Sequence, residues 1–182
     1  MTLTLVLFSL LWGAPSDLSR ALEDATRGAR MPGDTVVLDG LKRFDGSRFQ
    51  AKALPHIVRV VLFIEPLNTQ AGIKRLAWWK LNAKALSPGA DLIVVPSASP
   101  RSDADLQQLV AVDDPECLLA ARFGSVRLYE GKLGALPLAF VLDDSNIVRA
   151  IIEADSPAKQ LDPIARAVKT LRRQLSEQVA PF

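Results

Sequence analysis

Residues Ile57–Ile64 read IVRVVLFI, an apolar run broken only by Arg59. A strand with one face on solvent alternates apolar and polar side chains. A run without alternation is the pattern of a strand covered on both faces, in the interior of a sheet. The run leaves through Glu65-Pro66 into the polar stretch up to Gln70 and then into a helical pattern. The rest of the chain must therefore supply helices for two faces and further strands for the sheet, an α/β architecture.

The remaining segments fit that demand. From Ala71 to Leu86, Leu76, Trp79, Ala83 and Leu86 form one stripe of a helix. Trp78, Leu81 and Ala85 are expected to widen it, and Pro88-Gly89 to stop it. Adjacent helical residues point about 100° apart, so Trp79 is expected against the sheet and Trp78 on the flank. There Trp78 either completes a wide buried face or stands exposed as a partner contact. Asp91–Val95, DLIVV, reads as a second buried strand, parallel to the first across the helix. Ser102 and Asp105 signal a helix start running to about Val110, and Asp114-Pro115 another ending at Gly124. Leu138–Leu142 and Ile147–Ile152 flank Asp143-Asp144-Ser145-Asn146, the pattern of an antiparallel hairpin. From Pro157 to about Gln178 a terminal helix buries Ile164, Val168, Leu171 and Leu175 and solvates Arg166, Lys169 and Arg173. Earlier, 36–41 and 44–49 read as short strands joined at Asp45-Gly46. The predicted order is β-β-β-α-β-α-α-β-β-α.

Residues 2–14, TLTLVLFSLLWGA, are apolar and end in small residues. That length suits the apolar part of a secretory signal and falls short of a stable membrane span. No basic residue precedes it, and the other reading is an apolar N-terminal segment within the fold. The expected organisation is 1–15 as this segment, 16–31 as a helical extension beginning near Asp17, and 32–182 as one domain. Export to the periplasm follows if residues 1–14 are a signal, and a cytoplasmic location if they are not.

Charge and thiol counts exclude several function classes. A formal net charge of +2 gives no reason to expect a nucleic-acid partner. One cysteine, Cys117, rules out an internal disulfide and a multi-thiolate zinc site, and one histidine, His56, rules out a histidine cluster. No metal or cofactor is implied. His56 precedes the apolar run and reads as a surface residue rather than a catalytic one.

Three ordered segments carry a family resemblance. VVLFIEPLNTQAG (60–72) resembles the peroxiredoxin segment V-L-F-F-Y-P-x-x-x-T-x-x-C, with Phe63, Pro66 and Thr69 matching. DDPECLLAARFGSV (113–126) is similar to the peroxiredoxin helix that ends in Y/F-G-V. LPLAFVLDDSNIVRAI (136–151) is similar to the P-x-x-F-x-I-D-x-x-G-x-I hairpin of thioredoxin-like domains. The chain thus resembles the thioredoxin-like superfamily, in its redoxin (AhpC/TSA, peroxiredoxin) or TlpA-like branch, over roughly residues 32–152. The resemblance implies a central mixed sheet with helices on both faces. It also implies that Pro137 is the cis-proline beside the active-site loop, next to which thioredoxins pair an extended peptide.

The same resemblance places the active-site loop on Glu65, Pro66, Asn68, Thr69, Gln70, Ala71 and Gly72. A peroxidatic cysteine falls at Ala71 or Gly72, and a TlpA-type pair at Asn68 and Ala71, yet none of these residues is a thiol. Thiol-disulfide exchange requires an attacking thiolate, and a Thr69 hydroxyl is no substitute without an adjacent base. Leu136 and Pro137 also stand where peroxiredoxins carry an arginine. Glu65 is a lone carboxylate, read as a solvated loop residue rather than a base. Cys117 is the candidate thiol. An early helical position lowers a thiol pKa while Asp113, Asp114 and Glu116 raise it, and a free cysteine commonly packs as a small apolar residue. The expected function is a redoxin-like domain without catalytic thiols, binding or scaffolding a protein or peptide. The alternative is a thiol peroxidase or thiol-disulfide oxidoreductase that uses Cys117 alone.

Overall fold

A computed structural model describes residues 30–39, 41–86, 89–97, 109–114, 116–129 and 132–179. The 1–15 segment, nearly all of the 16–31 extension and the helix start at Ser102 lie outside the described residues. Strand β1 (Arg59–Ile64) is followed by helix α1 (Gln70–Asn82), β2 (Asp91–Pro96), the short β3 (Val110–Ala111) and a five-residue helix α2 (Leu118–Arg122). Then come β4 (Val126–Tyr129), β5 (Lys132–Ala135), β6 (Leu138–Leu142), β7 (Val148–Glu153) and the terminal helix α3 (Pro157–Val179).

The main sheet has the order β3-β2-β1-β6-β7, with β1 in the middle. β1 pairs parallel with β2, Arg59 opposite Asp91 through Ile64 opposite Pro96, and antiparallel with β6. β6 and β7 are antiparallel neighbours. Four of the six expected strands therefore share one sheet in the expected senses.

Every β1 side chain is buried. Val60, Leu62 and Ile64 meet Leu76 and Trp79 of α1 and Ile164, Val168 and Leu171 of α3. Val61 and Phe63 face the opposite layer, with Val36, Leu38, Phe49, Leu119, Phe123 and Phe140. Phe63, Phe123 and Phe140 pack edge to face, with centroids 4.8 to 5.8 Å apart. Burying each large apolar side chain contributes roughly 1.5–3 kcal/mol. Arg59, the one charge in the run, reaches its guanidinium to the β6–β7 turn, donating to the carbonyls of Asp143 and Asp144 and to Asn146 Oδ1. That turn holds Asn146 at φ 59°, a conformation asparagine tolerates.

Four expectations need correction. The 36–41 and 44–49 runs do not form strands: only isolated bridges occur there, Lys42 with Arg48 among them, around a turn with Gly46 at φ 79°. The region meets the sheet only at single points, Thr35 with Ile147 and Arg43 with Val112, rather than along a ladder. Val110 belongs to β3 rather than to a helix end, because its neighbour β2 offers a parallel edge. The β4–β5 hairpin was not anticipated. Leu81 does not widen the buried face of α1 but is 83% exposed, because that face centres on Gly72, Arg75, Leu76 and Trp79. Trp78 is half-buried, its ring edge-to-face with Trp79 at 5.1 Å. No helix among the described residues is long and apolar enough to cross a membrane.

The two faces of α1 should therefore differ sharply in energetic weight. Trp79→Ala is expected to cost about 3–5 kcal/mol and Leu81→Ala less than about 0.5 kcal/mol. Urea unfolding of both variants checks this, and similar costs would contradict the assigned orientation.

Candidate functional site

The loop after β1 is tied back at each end. Ser97, following β2, donates its amide to Ile64 O at 3.2 Å, and its carbonyl accepts from Leu67 N at 3.2 Å. Thr69 is the N-cap of α1. Its Oγ1 accepts from Gly72 N at 3.1 Å and donates to Pro66 O at 2.6 Å. One hydroxyl thus closes both the loop and the first helical turn. Asn68, Gln70 and Ala71 are exposed, Pro66 and Thr69 half-buried, and Gly72 buried.

Gly72 is where the Thr-x-x-Cys spacing from Thr69 places the cysteine. A Cβ built there would lie 2.5 Å from both Glu65 O and Pro66 O, and 2.9 Å from Pro66 C. Those contacts are backbone and cannot swing aside. The helix start lies directly on the chain leaving β1, so position 72 has no room for any side chain. At the alternative position, Ala71, the side chain points to solvent.

Glu65 is not a solvated loop residue. It is buried, and its Oε2 lies 2.8 Å from Arg75 Nε. Arg75 is also buried and donates through Nη2 to Asp155 O at 3.2 Å, while its Nη1 finds no acceptor. The pair links the end of β1, helix α1 and the chain leaving β7. It was legible in principle: Arg75 falls inside the apolar stripe Gly72–Leu76–Trp79, where a charge needs a partner. His56 is half-buried, with backbone N and Nδ1 each 2.9 Å from the two carboxylate oxygens of Asp91. Its role is to tie the entry of β1 to that of β2. No metal-binding cluster of His, Cys, Asp or Glu occurs among the described residues.

The peptide bond before Pro137 is trans, since no cis bond occurs among the described residues. This corrects the expectation from resemblance. The backbone here is closed locally: Leu138 N donates to Leu136 O at 2.8 Å across the proline. Leu136 N donates to Ser125 O at 2.8 Å, Ser125 Oγ to Leu136 O at 2.9 Å, and the buried Gln160 Nε2 to Pro137 O at 2.9 Å. The groups that would pair with an extended peptide are thus engaged within the chain.

Cys117 lies on the other face of the sheet, 1% exposed, among Phe63, Val95 and Phe123. It precedes α2 rather than sitting within its first turn, at φ 57° in the left-handed region. Asp114 caps that helix instead, its carboxylate accepting from Leu119 N and Ala120 N at 2.9 Å each. Burial first, then the charge of Asp114, push the Cys117 thiol up to about 11, against weaker hydrogen bonds that involve Ser97 and Ala135. Burial likewise raises the Asp114 carboxyl, opposed by its three backbone hydrogen bonds.

No protein-family model matches the sequence, and no curated protein matches it. Solved structures do match the fold. Peroxidoxin BcpB from Mycobacterium tuberculosis superposes with a TM-score of 0.63 at 22% identity, over 78% of this chain and 97% of that one. A peroxiredoxin-like protein from Aquifex aeolicus gives 0.62 at 16% identity, over 79% and 90% of the two chains. The thiol peroxidase from Chromobacterium violaceum gives 0.62 at 16% identity, over 80% and 90%. This chain has a thioredoxin-like fold, similar to the folds of these three proteins. Within that fold the first turn of α1 carries a glycine at the tightest contact, and the one cysteine lies in the opposite layer.

Three outcomes follow. Gly72→Ala should destabilise by about 1–3 kcal/mol or more, as overpacking does, and Glu65→Gln by about 3–5 kcal/mol, because it leaves Arg75 buried and unpaired. Adding Arg75→Met to Glu65→Gln should cost less than the two changes summed, a coupling that denaturant unfolding of the four proteins measures. For Cys117 the folded thiol titrates above the ordinary value of 9.0. Between about 9 and 11 the unfolded chain releases that proton first, so the thiol's contribution to stability is intact below 9 and lost as pH rises toward 11. Melting temperatures across this window should fall less steeply for Cys117→Ala than for the native protein.

Proposed function

We propose that this protein is a redoxin-fold binding module that does no thiol chemistry at the start of α1. The observation that carries this reading is the 2.5 Å approach of position 72 to two backbone carbonyls, which leaves no space for a thiol where redoxin chemistry needs one. The position of Cys117 supports it. A thiol must ionise and be reached in order to attack a peroxide or disulfide, and this one is buried with its pKa raised. The architecture kept around the loop, including the Thr69 cap and the Glu65–Arg75 pair, holds a defined surface rather than a reactive group.

The test is peroxide consumption with dithiothreitol as reductant, in native protein and Cys117→Ser. The expected result is no rate above the uncatalysed background in either. A thiol-dependent rate lost on substitution would make the protein a single-cysteine peroxidase and overturn the proposal. Iodoacetamide at pH 8 should label Cys117 only after unfolding.

A further inference from the structure

Helix α1 is apolar on both sides. Its inner face is the buried Leu76–Trp79 stripe, but its outer face carries Ile73, Ala77 and Leu81 at four-residue spacing, with Ile73 47% and Leu81 83% exposed. Four-residue spacing puts these three side chains in one ridge along the helix. Lys74 and Lys84 flank it, both exposed. A surface helix ordinarily turns a polar face outward, so this ridge calls for a cover.

The charge around the ridge says which cover fits. Helix α1 and the 3-10 turn Ala83–Ala85 after it contain four charged residues, Lys74, Arg75, Lys80 and Lys84, all cationic. Helix α3 packs on the same side of the sheet and exposes Arg166, Lys169, Arg172 and Arg173. These elements together hold nine Lys and Arg against two Asp and Glu, while the rest of the chain is richer in acids than in bases. Lys74, Lys84, Lys169 and Arg172 have no ion-pair partner among the described residues. Between the end of α1 and α3 a cleft of about 190 Å³ has an apolar floor of Leu86 and Val168 and a rim of Lys169 and Arg172.

We infer that this face docks on an anionic lipid surface, with Leu81 and Ile73 entering the headgroup boundary and the surrounding cations meeting lipid phosphates. The ridge is convex, formed by side chains standing off a helix, and the cleft beside it, about 190 Å³, is smaller than the roughly 300 Å³ at which ligand pockets begin. Exposed apolar residues among lysines are the pattern of an interfacial helix, and each cation near an anionic surface adds to the attraction. The inference is independent of Cys117 and of the loop at Gly72.

The experiment is cosedimentation of the full chain with vesicles of phosphatidylglycerol mixed with phosphatidylcholine, and with phosphatidylcholine alone. Binding to the anionic vesicles is expected, with little to the neutral ones and release in about 1 M salt, where the screening length is ~3 Å. Leu81→Asp and Lys74→Glu/Lys84→Glu should each weaken partition at least about tenfold without changing the melting temperature. Binding that persists in both variants would place the contact elsewhere and overturn the inference, as would equal binding to neutral vesicles. So would an absence of vesicle binding, whether Leu81→Asp then lowers the melting temperature (an internal cover) or an acidic polypeptide binds instead.

Discussion

Everything in this molecule depends on burying β1 from both sides. A strand hydrogen-bonded along both edges and apolar on both faces cannot exist without two covering layers and two neighbours. The chain answers with α1 and α3 over Val60, Leu62 and Ile64, and with α2, Phe123 and the 36–49 region over Val61 and Phe63. The one charge in the strand lies at its first residue, where its guanidinium reaches the carbonyls of the β6–β7 turn. Buried charge is costly unless partnered, and at the strand's end Nη1 reaches three acceptors in that turn, while the buried Nε has none.

The end of β1 is also the tightest point of the fold. Here the helix starts so close to the exit that only glycine fits at position 72, and the Thr69 hydroxyl takes the first-turn amide. Beneath it the Glu65–Arg75 pair joins three segments of backbone. The single thiol sits in the aromatic layer across the sheet, where burial holds it protonated.

The two layers are unequal in a second way. The layer of α2 and the aromatic cluster is closed by the chain's own loops. The layer of α1 and α3 presents cations and an apolar ridge outward. Distributing charge in this manner gives one face of a nearly neutral chain a strong local field, which is what binding at a surface uses.

By itself the sequence determined β1, its neighbours and its terminal helix. Continuous apolar runs, the Asp143–Asn146 turn and the spacing of Ile164, Val168 and Leu171 are local signals whose physical cause lies within the segment. It also showed that no cysteine stands in the loop directly after β1, residues 65–72. Only the tertiary structure decided the rest, because each case depends on what arrives from elsewhere in the chain. The carbonyls of Glu65 and Pro66 make Gly72 obligatory. Arg75 turns Glu65 from a loop residue into half of a buried pair. Gln160, Ser125 and Leu138 engage the backbone around Pro137. Leu81 faces solvent because Gly72, Arg75, Leu76 and Trp79 centre the buried face of α1 elsewhere, and a stripe of apolar residues states a helix's periodicity without stating which of its sides meets the sheet.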